Sequence, residues 1–82
     1  MHEIVFDEIA LDSLNSVPKE IKERIFNKII STKENPFHFF ERLAGRDDYK
    51  LRVGDFRVIA DIEQNKIHIT FIGHRRNVYQ KI

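Results

Sequence analysis

The sequence predicts an α+β protein of two layers, in which helices cover one face of a sheet. Apolar residues recur at helical spacing between residues 9 and 30, and they alternate with polar residues between residues 49 and 62. The dipeptide Gly54-Asp55 divides the alternating region at a point where a two-residue hairpin turn fits. We therefore expect an N-terminal strand, an antiparallel helix hairpin and a three-stranded antiparallel meander.

The first half of the chain contains a strand candidate, residues 2–6, and two helices. Asp7 can cap the first helix, which shows a weak apolar stripe formed by Ile9, Leu11 and Leu14. Pro18 suits the first turn of the second helix, because the N–H that proline lacks would have no helical partner there. The apolar face of that helix consists of Ile21, Ile25, Phe26, Ile29 and Ile30. So short a connection between two helices favours an antiparallel hairpin.

The second half contains the strands of the meander. Asn35-Pro36 ends the second helix, because proline disfavours helical geometry in the residue before it. The aromatic run 37–40 is more typical of a seal between helices and sheet than of a surface that stacks on bases. The last strand candidate spans residues 66–72, after a turn at 63–65. Strict alternation there points Ile67, Ile69 and Phe71 toward the helices, and His68, Thr70 and Ile72 away from them.

The hairpin around Gly54-Asp55 brings cations together on the face that does not carry the apolar set. If Val53 pairs with Phe56, Arg52 lies opposite Arg57, and Lys50 lies diagonal to Arg57. Like charges opposite one another on paired strands cost stability, so something must compensate them. A nearby carboxylate, Asp61, is one such compensation, and a bound phosphate is the other. The residues alone leave both open.

Composition narrows the class of protein. The 82 residues are expected to form one domain, 1–82, and the absence of cysteine excludes disulfides and thiolate metal sites. Residues 1–41 carry five Lys and Arg against eight Asp and Glu, whereas 42–82 carry nine against five, giving −3 and +4. This asymmetry favours an anionic partner at one basic surface. The histidines lack metal-ligand spacing, so no metal is expected, and no segment suggests a signal peptide or a membrane contact.

Two segments carry a resemblance to a known family. The segments YKLRVGDFRVI, residues 49–59, and IGHRRNVY, residues 72–79, closely resemble the RelE branch of the RelE/ParE toxin superfamily. The order of elements resembles that family over essentially the whole chain. The resemblance implies a RelE-like fold and the toxin of a type II toxin–antitoxin system, a ribosome-dependent endoribonuclease that cleaves messenger RNA in the A site. That activity is metal-independent and needs no cofactor, since the ribose 2′-OH attacks the adjacent phosphate.

The resemblance also implies partners and site residues. The partners are a cognate RelB-like antitoxin, the ribosome and messenger RNA, with a monomeric toxin inside the toxin–antitoxin complex and a cytoplasmic location. By position, Arg57 matches the strand arginine that contacts the scissile phosphate, and Lys50 matches a basic residue of the preceding strand. Arg75 matches the arginine that protonates or stabilises the leaving group. Tyr79 matches the tyrosine that positions or deprotonates the 2′-OH.

The sequence leaves several assignments of catalytic residues open. Some members have a second lysine where this chain has Asp48, and the short segment after Gly73 leaves Arg76 as an alternative to Arg75. His74 is an alternative base to Tyr79, because histidine titrates near the working pH, and it is otherwise a simple strand-end residue.

We assign Arg52 and Arg46 to RNA binding, although Arg52 has a second interpretation as an ion-pair partner of Asp61. The alternative function is that of the ParE branch, a non-nucleolytic inhibitor of DNA gyrase. A degenerate toxin that binds ribosomes without cleaving RNA is a further alternative.

Overall fold

The structure, a computed structural model, describes residues 2–82 and has the predicted α+β architecture. The elements in chain order are β1 (Glu3–Phe6), α1 (Glu8–Asn15), α2 (Lys19–Ser31), α3 (Pro36–Phe39), β2 (Glu41–Arg42), β3 (Tyr49–Val53), β4 (Phe56–Ile62), β5 (Lys66–His74) and α4 (Val78–Lys81). The N-terminal strand, the two helices and the meander β3–β5 are confirmed. The short elements α3, β2 and α4 were not predicted, because one helical turn or two paired residues leave no periodic signal.

The five strands form one sheet in the order β1-β5-β4-β3-β2. β1 pairs with β5 in parallel, and every other neighbouring pair is antiparallel. The chain therefore runs along one edge, returns through α1 and α2, and builds the rest of the sheet from the opposite edge inward. β2 protects only the first part of β3, since it pairs Glu41 with Lys50 and Arg42 with Tyr49.

The helices begin close to the predicted positions. Asp7 occupies the position before α1, and its backbone oxygen accepts a hydrogen bond from the Leu11 N–H at 2.9 Å. Its side chain does not cap the helix, because the Asp7 carboxylate lies 3.5 Å from Nε2 of His68. Pro18 stands immediately before α2 rather than within its first turn.

A single apolar core lies between the helices and one face of the sheet. The helices contribute Ala10, Leu14, Ile25 and Ile29, and the strands contribute Leu51, Val53, Val58, Ala60, Ile67, Ile69 and Ile72. Phe40, the last residue of the aromatic run, is buried in this core, whereas Phe37 is exposed and packs edge-on against Tyr49. The aromatic run thus seals the junction between helices and sheet in part.

The β3–β4 hairpin has the predicted register, with Val53 opposite Phe56 and Arg52 opposite Arg57. Gly54 adopts a φ of 58°, in the left-handed region that favours glycine. A tight turn and a half-buried apolar face together fix such a register, because a slip by one residue would turn every core side chain outward. The position of the two arginines therefore follows from the turn.

The predicted alternation in β5 is wrong beyond Ile69. Ile59 pairs with Phe71 and Ala60 pairs with Ile69, so Thr70 is an extra residue in β5 without a partner in β4. Such a bulge reverses the orientation of the residues that follow it. Ile72 consequently faces the core opposite Val58, and Phe71 lies on the other face, where the alternation had placed Ile72.

The bulge gives the second face of the sheet an apolar part of its own. Ile59 and Val78 are both buried, although neither belongs to the main core. A Cβ on Gly73 would lie 3.0 Å from the Phe71 ring and 3.5 Å from Cβ of Val78. Val78 therefore lies over Gly73, and α4 covers the β5 end of this face.

Ile72→Ala should lower the free energy of unfolding by about 2–5 kcal/mol, because it removes a branched side chain from a filled core. Phe71→Ala should lower it less, since Phe71 is only half-buried. Urea denaturation followed by circular dichroism measures both values. A larger loss at Phe71 than at Ile72 would contradict the position of the bulge.

Candidate nucleic-acid interface

A cavity of about 230 Å³ lies on the second face of the sheet, beside the β3–β4 hairpin. Its lining residues are Phe39, Glu41, Lys50, Arg52 and Arg57. Lys50 and Arg52 stand two residues apart on β3, and Arg57 faces Arg52 across the strands. The structure thus places three of the sequence-predicted site residues in one cavity, with three positive charges against the single carboxylate of Glu41.

Arg57 is the most buried of these cations, with 8% of its surface exposed. Its Nη1 donates hydrogen bonds to the backbone oxygens of Gly54 and Phe56, both at 3.0 Å. No carboxylate oxygen in residues 2–82 lies within the 4.0 Å ion-pair distance of this guanidinium. Nε and Nη2 have no hydrogen-bond partner within the described chain. The side chain is therefore held in place through one nitrogen, and its other donors remain available to an anion.

Nearby carboxylates compensate the positive charges of the cavity only weakly. Nζ of Lys50 lies 3.8 Å from Glu41, whose side chain is 79% exposed, so the ion pair is long and open to solvent. Asp61, the carboxylate that could have neutralised the arginines, forms no ion pair with Arg52 or Arg57 in the described part of the chain. The sequence left two ways to compensate the arginines, a nearby carboxylate and a bound phosphate. In the described residues the first of these, an ion pair with Asp61, is not formed.

Arg46 lies outside the cavity and is neutralised. Its Nε and Nη2 donate to the two carboxylate oxygens of Asp48 at 2.9 and 2.8 Å, in the bidentate geometry that suits a guanidinium. These bonds raise the pKa of Arg46 above its ordinary value, against a smaller lowering by burial, and the charges of Asp48 and Asp61 add to the rise. Nη1 of Arg46 donates to the backbone oxygen of Ile82 at 2.7 Å. Arg46 therefore ties the loop before β3 to the residue that follows α4.

The C-terminal candidates Arg75, Arg76 and Tyr79 do not line the cavity. The backbone N–H of Arg75 donates to the backbone oxygen of Asp55 at 2.7 Å, and its Nε lies 3.8 Å from the Asp55 carboxylate. Arg76 is exposed, and Tyr79 in α4 is 46% exposed. Since Val78 lies over Gly73, and Gly73 pairs with Arg57, the backbone of Tyr79 passes the same end of the sheet as Arg57.

His74 does not line the cavity. His74 pairs with Phe56, and their rings meet edge-on with centroids 5.6 Å apart. Because His74 follows Ile72 by two residues, it lies on the helix-covered side of the sheet, and it borders a second cavity with Ser13 and Ser16 of the α1–α2 region. The structure therefore does not bring His74 together with Arg57.

Four residues join this region that the sequence did not single out for it. Phe39 and Glu41 line the cavity. Nζ of Lys28 lies over the Phe39 ring, 4.9 Å from the ring centroid. Arg24 of α2 reaches the hairpin turn, where its guanidinium would lie 3.0 Å from a Cβ on Gly54. Arg24 and Lys28 share one face of α2 by their spacing of four, but only the packing of α2 against β3 brings that face to the hairpin.

Across residues 2–82, no three His, Asp or Glu side chains are grouped so that they could hold a metal ion. None of the helices within this range has the length and apolar character that crossing a membrane requires.

Comparison with known proteins gives a family and several similar structures. Residues 4–79 match the family model described as the ParE toxin of the type II toxin–antitoxin system parDE. No curated protein sequence gives a significant match.

Among solved structures, the intact RelBE toxin–antitoxin complex of Escherichia coli matches at 23% identity and a TM-score of 0.74, over 90% of this chain and 96% of that chain. The RelBE2 complex of Mycobacterium tuberculosis matches at 18% identity and a TM-score of 0.81, over 90% and 98%. The isolated E. coli RelE toxin matches at 21% identity and 0.77, over 99% and 94%. At these identities the structural matches show a shared fold.

Arg46→Gln should loosen α4, because the variant loses the bidentate bond to Asp48 and the donor to Ile82. Lower ¹⁵N heteronuclear NOE values at residues 78–81, with unchanged values in β4, are the expected result. Lys66→Gln is the control, since Lys66 begins β5 at the end of the strand far from α4 and pairs with Glu3 of β1. Equal values in both variants would show that Arg46 does not anchor the C-terminal segment.

Proposed function

We propose that this chain, which belongs to the RelE/ParE superfamily of type II toxins, is a ribosome-dependent endoribonuclease that cleaves messenger RNA in the A site. The observation that supports this proposal is the buried Arg57, which has no carboxylate partner within residues 2–82 and shares a cavity with Lys50 and Arg52. An uncompensated guanidinium that is already fixed by backbone oxygens is suited to bind a phosphate. Its charge and its free donors are in place before the ligand arrives.

The reaction proposed for this cavity is internal transesterification. The ribose 2′-oxygen attacks the adjacent phosphorus, the bond from phosphorus to the 5′-oxygen breaks, and the products are a 2′,3′-cyclic phosphate and a 5′-hydroxyl. The phosphorane carries extra negative charge, which Arg57, Lys50 and Arg52 would stabilise. The 2′-OH proton passes to an acceptor, and the 5′-oxygen receives a proton from a donor.

We propose two candidate acceptors for the 2′-OH proton. Glu41 supplies the carboxylate that lines the cavity, close to Lys50. Tyr79 is the acceptor that the family resemblance implies, and α4 carries its backbone past the same end of the sheet. Arg75 remains the candidate that stabilises the leaving 5′-oxygen, with Arg76 as the alternative. We assign His74 no part in the proposed reaction, because its ring packs against Phe56 and does not line the cavity.

We further propose a cognate antitoxin as the partner of this chain in the cytoplasm, since the similar RelE structures include complexes with RelB. A helical antitoxin segment needs apolar anchors. Large apolar residues are exposed on the helices and near α4: Ile9, Leu11, Phe26, Ile30, Phe37 and Tyr79.

A second candidate function is that of the ParE branch, inhibition of DNA gyrase without RNA cleavage. The match to the ParE family model favours it, because that description names parDE rather than a nuclease. Supercoiling of a relaxed plasmid by gyrase separates the two functions. Inhibition of supercoiling by the purified chain, together with intact messenger RNA in a translation extract, would replace the nuclease proposal with this one.

Arg57→Ala should reduce messenger RNA cleavage on the order of 100-fold to 1,000-fold, because it removes a preorganised electrostatic group. Arg57→Lys should also lose most activity, since lysine keeps the charge without the planar set of donors. Primer extension in a translation extract measures both variants, and circular dichroism checks that they fold. Lys66→Gln removes one charge elsewhere in the sheet and should cleave normally. A folded Arg57→Ala variant with full activity would refute the proposed site.

Replacing the 2′-OH by hydrogen at the cleaved nucleotide should abolish cleavage, because the proposed nucleophile is then missing. The substrate is a synthetic messenger RNA with that single 2′-deoxy substitution in the A site of intact ribosomes. The matched substrate carries the 2′-deoxy substitution two codons away and should be cut at the normal rate. Undiminished cleavage at the substituted position would exclude internal transesterification.

A further inference from the structure

A second basic groove runs along the edge of β3, next to the cavity described above. It has a volume of about 490 Å³ and lies between α2 and the hairpin. Its lining residues are Arg24, Asn27, Lys28, Arg52, Val53 and Gly54. β2 ends before it reaches this part of β3, so the groove is open on its outer side. Three of its six lining residues are cations, and none is acidic.

The cations of this groove are held in place without being neutralised. Arg24, Lys28 and Arg52 have no carboxylate oxygen within 4.0 Å in the part of the chain that the structure describes. The guanidinium of Arg24 packs on the hairpin turn, where a glycine leaves room for it. The ammonium of Lys28 packs on the ring of Phe39, a contact that positions a cation and leaves its charge intact.

The groove is continuous with the phosphate cavity. Arg52 lines both of them, and Phe39 lines the cavity on one side while it holds Lys28 on the other. The positive charge therefore extends from Arg57 across the hairpin to α2. A polyanion whose phosphate occupies the cavity would have its neighbouring phosphates directed along this path.

We infer that the groove binds the phosphodiester backbone of RNA at positions that are not cleaved. The chemistry of the groove favours a nucleic acid over an acidic peptide helix, because such a helix requires apolar anchors. The exposed Phe26 lies in a different groove of α2, with Lys19, Lys22 and Glu23. The inference rests on the proposed function in naming RNA, and it assigns Arg24 and Lys28 to RNA binding rather than to the reaction.

The test compares two double variants of α2 in the full chain. Arg24→Gln with Lys28→Gln removes two charges from the groove, and Lys19→Gln with Lys22→Gln removes two charges from the same helix outside it. Binding to messenger RNA-programmed ribosomes is titrated at several KCl concentrations. The groove variant should bind more weakly, and its slope of log K against log salt should be shallower by about 1.4–1.8, the value for two lost phosphate contacts.

The control variant should keep the wild-type slope of log K against log salt. An unchanged slope, or the same change in both variants, would overturn the inference. Normal binding with slow cleavage would also overturn it, because the residues would then act in the reaction. If the groove variant loses affinity for a poly-glutamate peptide but keeps the ribosome slope, the groove serves an acidic protein instead. If the ribosome-binding slopes are as expected but the wild type does not cleave messenger RNA, only the proposed nuclease activity is refuted and the inference about the groove stands.

Discussion

The two-residue turn Gly54-Asp55 is the feature on which the basic surface depends. Its backbone oxygens accept hydrogen bonds from two different elements: Gly54 from Arg57 of β4, and Asp55 from the N–H of Arg75 after β5. The guanidinium of Arg24 packs against Gly54 from α2. A glycine with a positive φ is required at this point both for the turn and for the close approach of Arg24. One short turn thus fixes the relative positions of three arginines that are far apart in the sequence.

Arg46 and Arg57 differ in how their charges are compensated. Arg46 has a structural role in an ion pair, whereas the charge of Arg57 is available to a ligand. Arg46 is bound by both oxygens of Asp48 and serves to hold the C-terminal residue. Arg57 is more deeply buried and faces Arg52, but only backbone oxygens satisfy one of its nitrogens. Burying a cation without an anionic partner costs stability, and proteins tolerate such costs mainly at sites of function. The contrast between the two arginines, rather than the net charge of the chain, marks the cavity around Arg57 as the candidate anion site.

The sequence predicts those parts of the fold that depend on local patterns. The register of Arg52 against Arg57 is confirmed, because a tight turn between two alternating segments determines it. The orientation of Phe71 and Ile72 is wrong, because the bulge at Thr70 arises from packing between β4 and β5 and leaves no mark on the alternation. Arg24 was missed for a similar reason, since its place beside Gly54 is set by how α2 packs on the sheet. Tertiary contacts, rather than local sequence patterns, determine both the orientation of Phe71 and Ile72 and the place of Arg24.

Two contacts outside α4 determine where this short helix and its residue Tyr79 lie. The bulge at Thr70 turns Phe71 to the second face, and Val78 packs there over Gly73, which has no side chain to exclude it. Arg46 adds a polar attachment at Ile82, beyond the other end of α4. A helix of four residues has too few internal hydrogen bonds to be stable alone, so these two attachments determine where it lies. The place of Tyr79 in the fold consequently depends on the packing of Val78 over Gly73 and on the neutralised pair Arg46–Asp48.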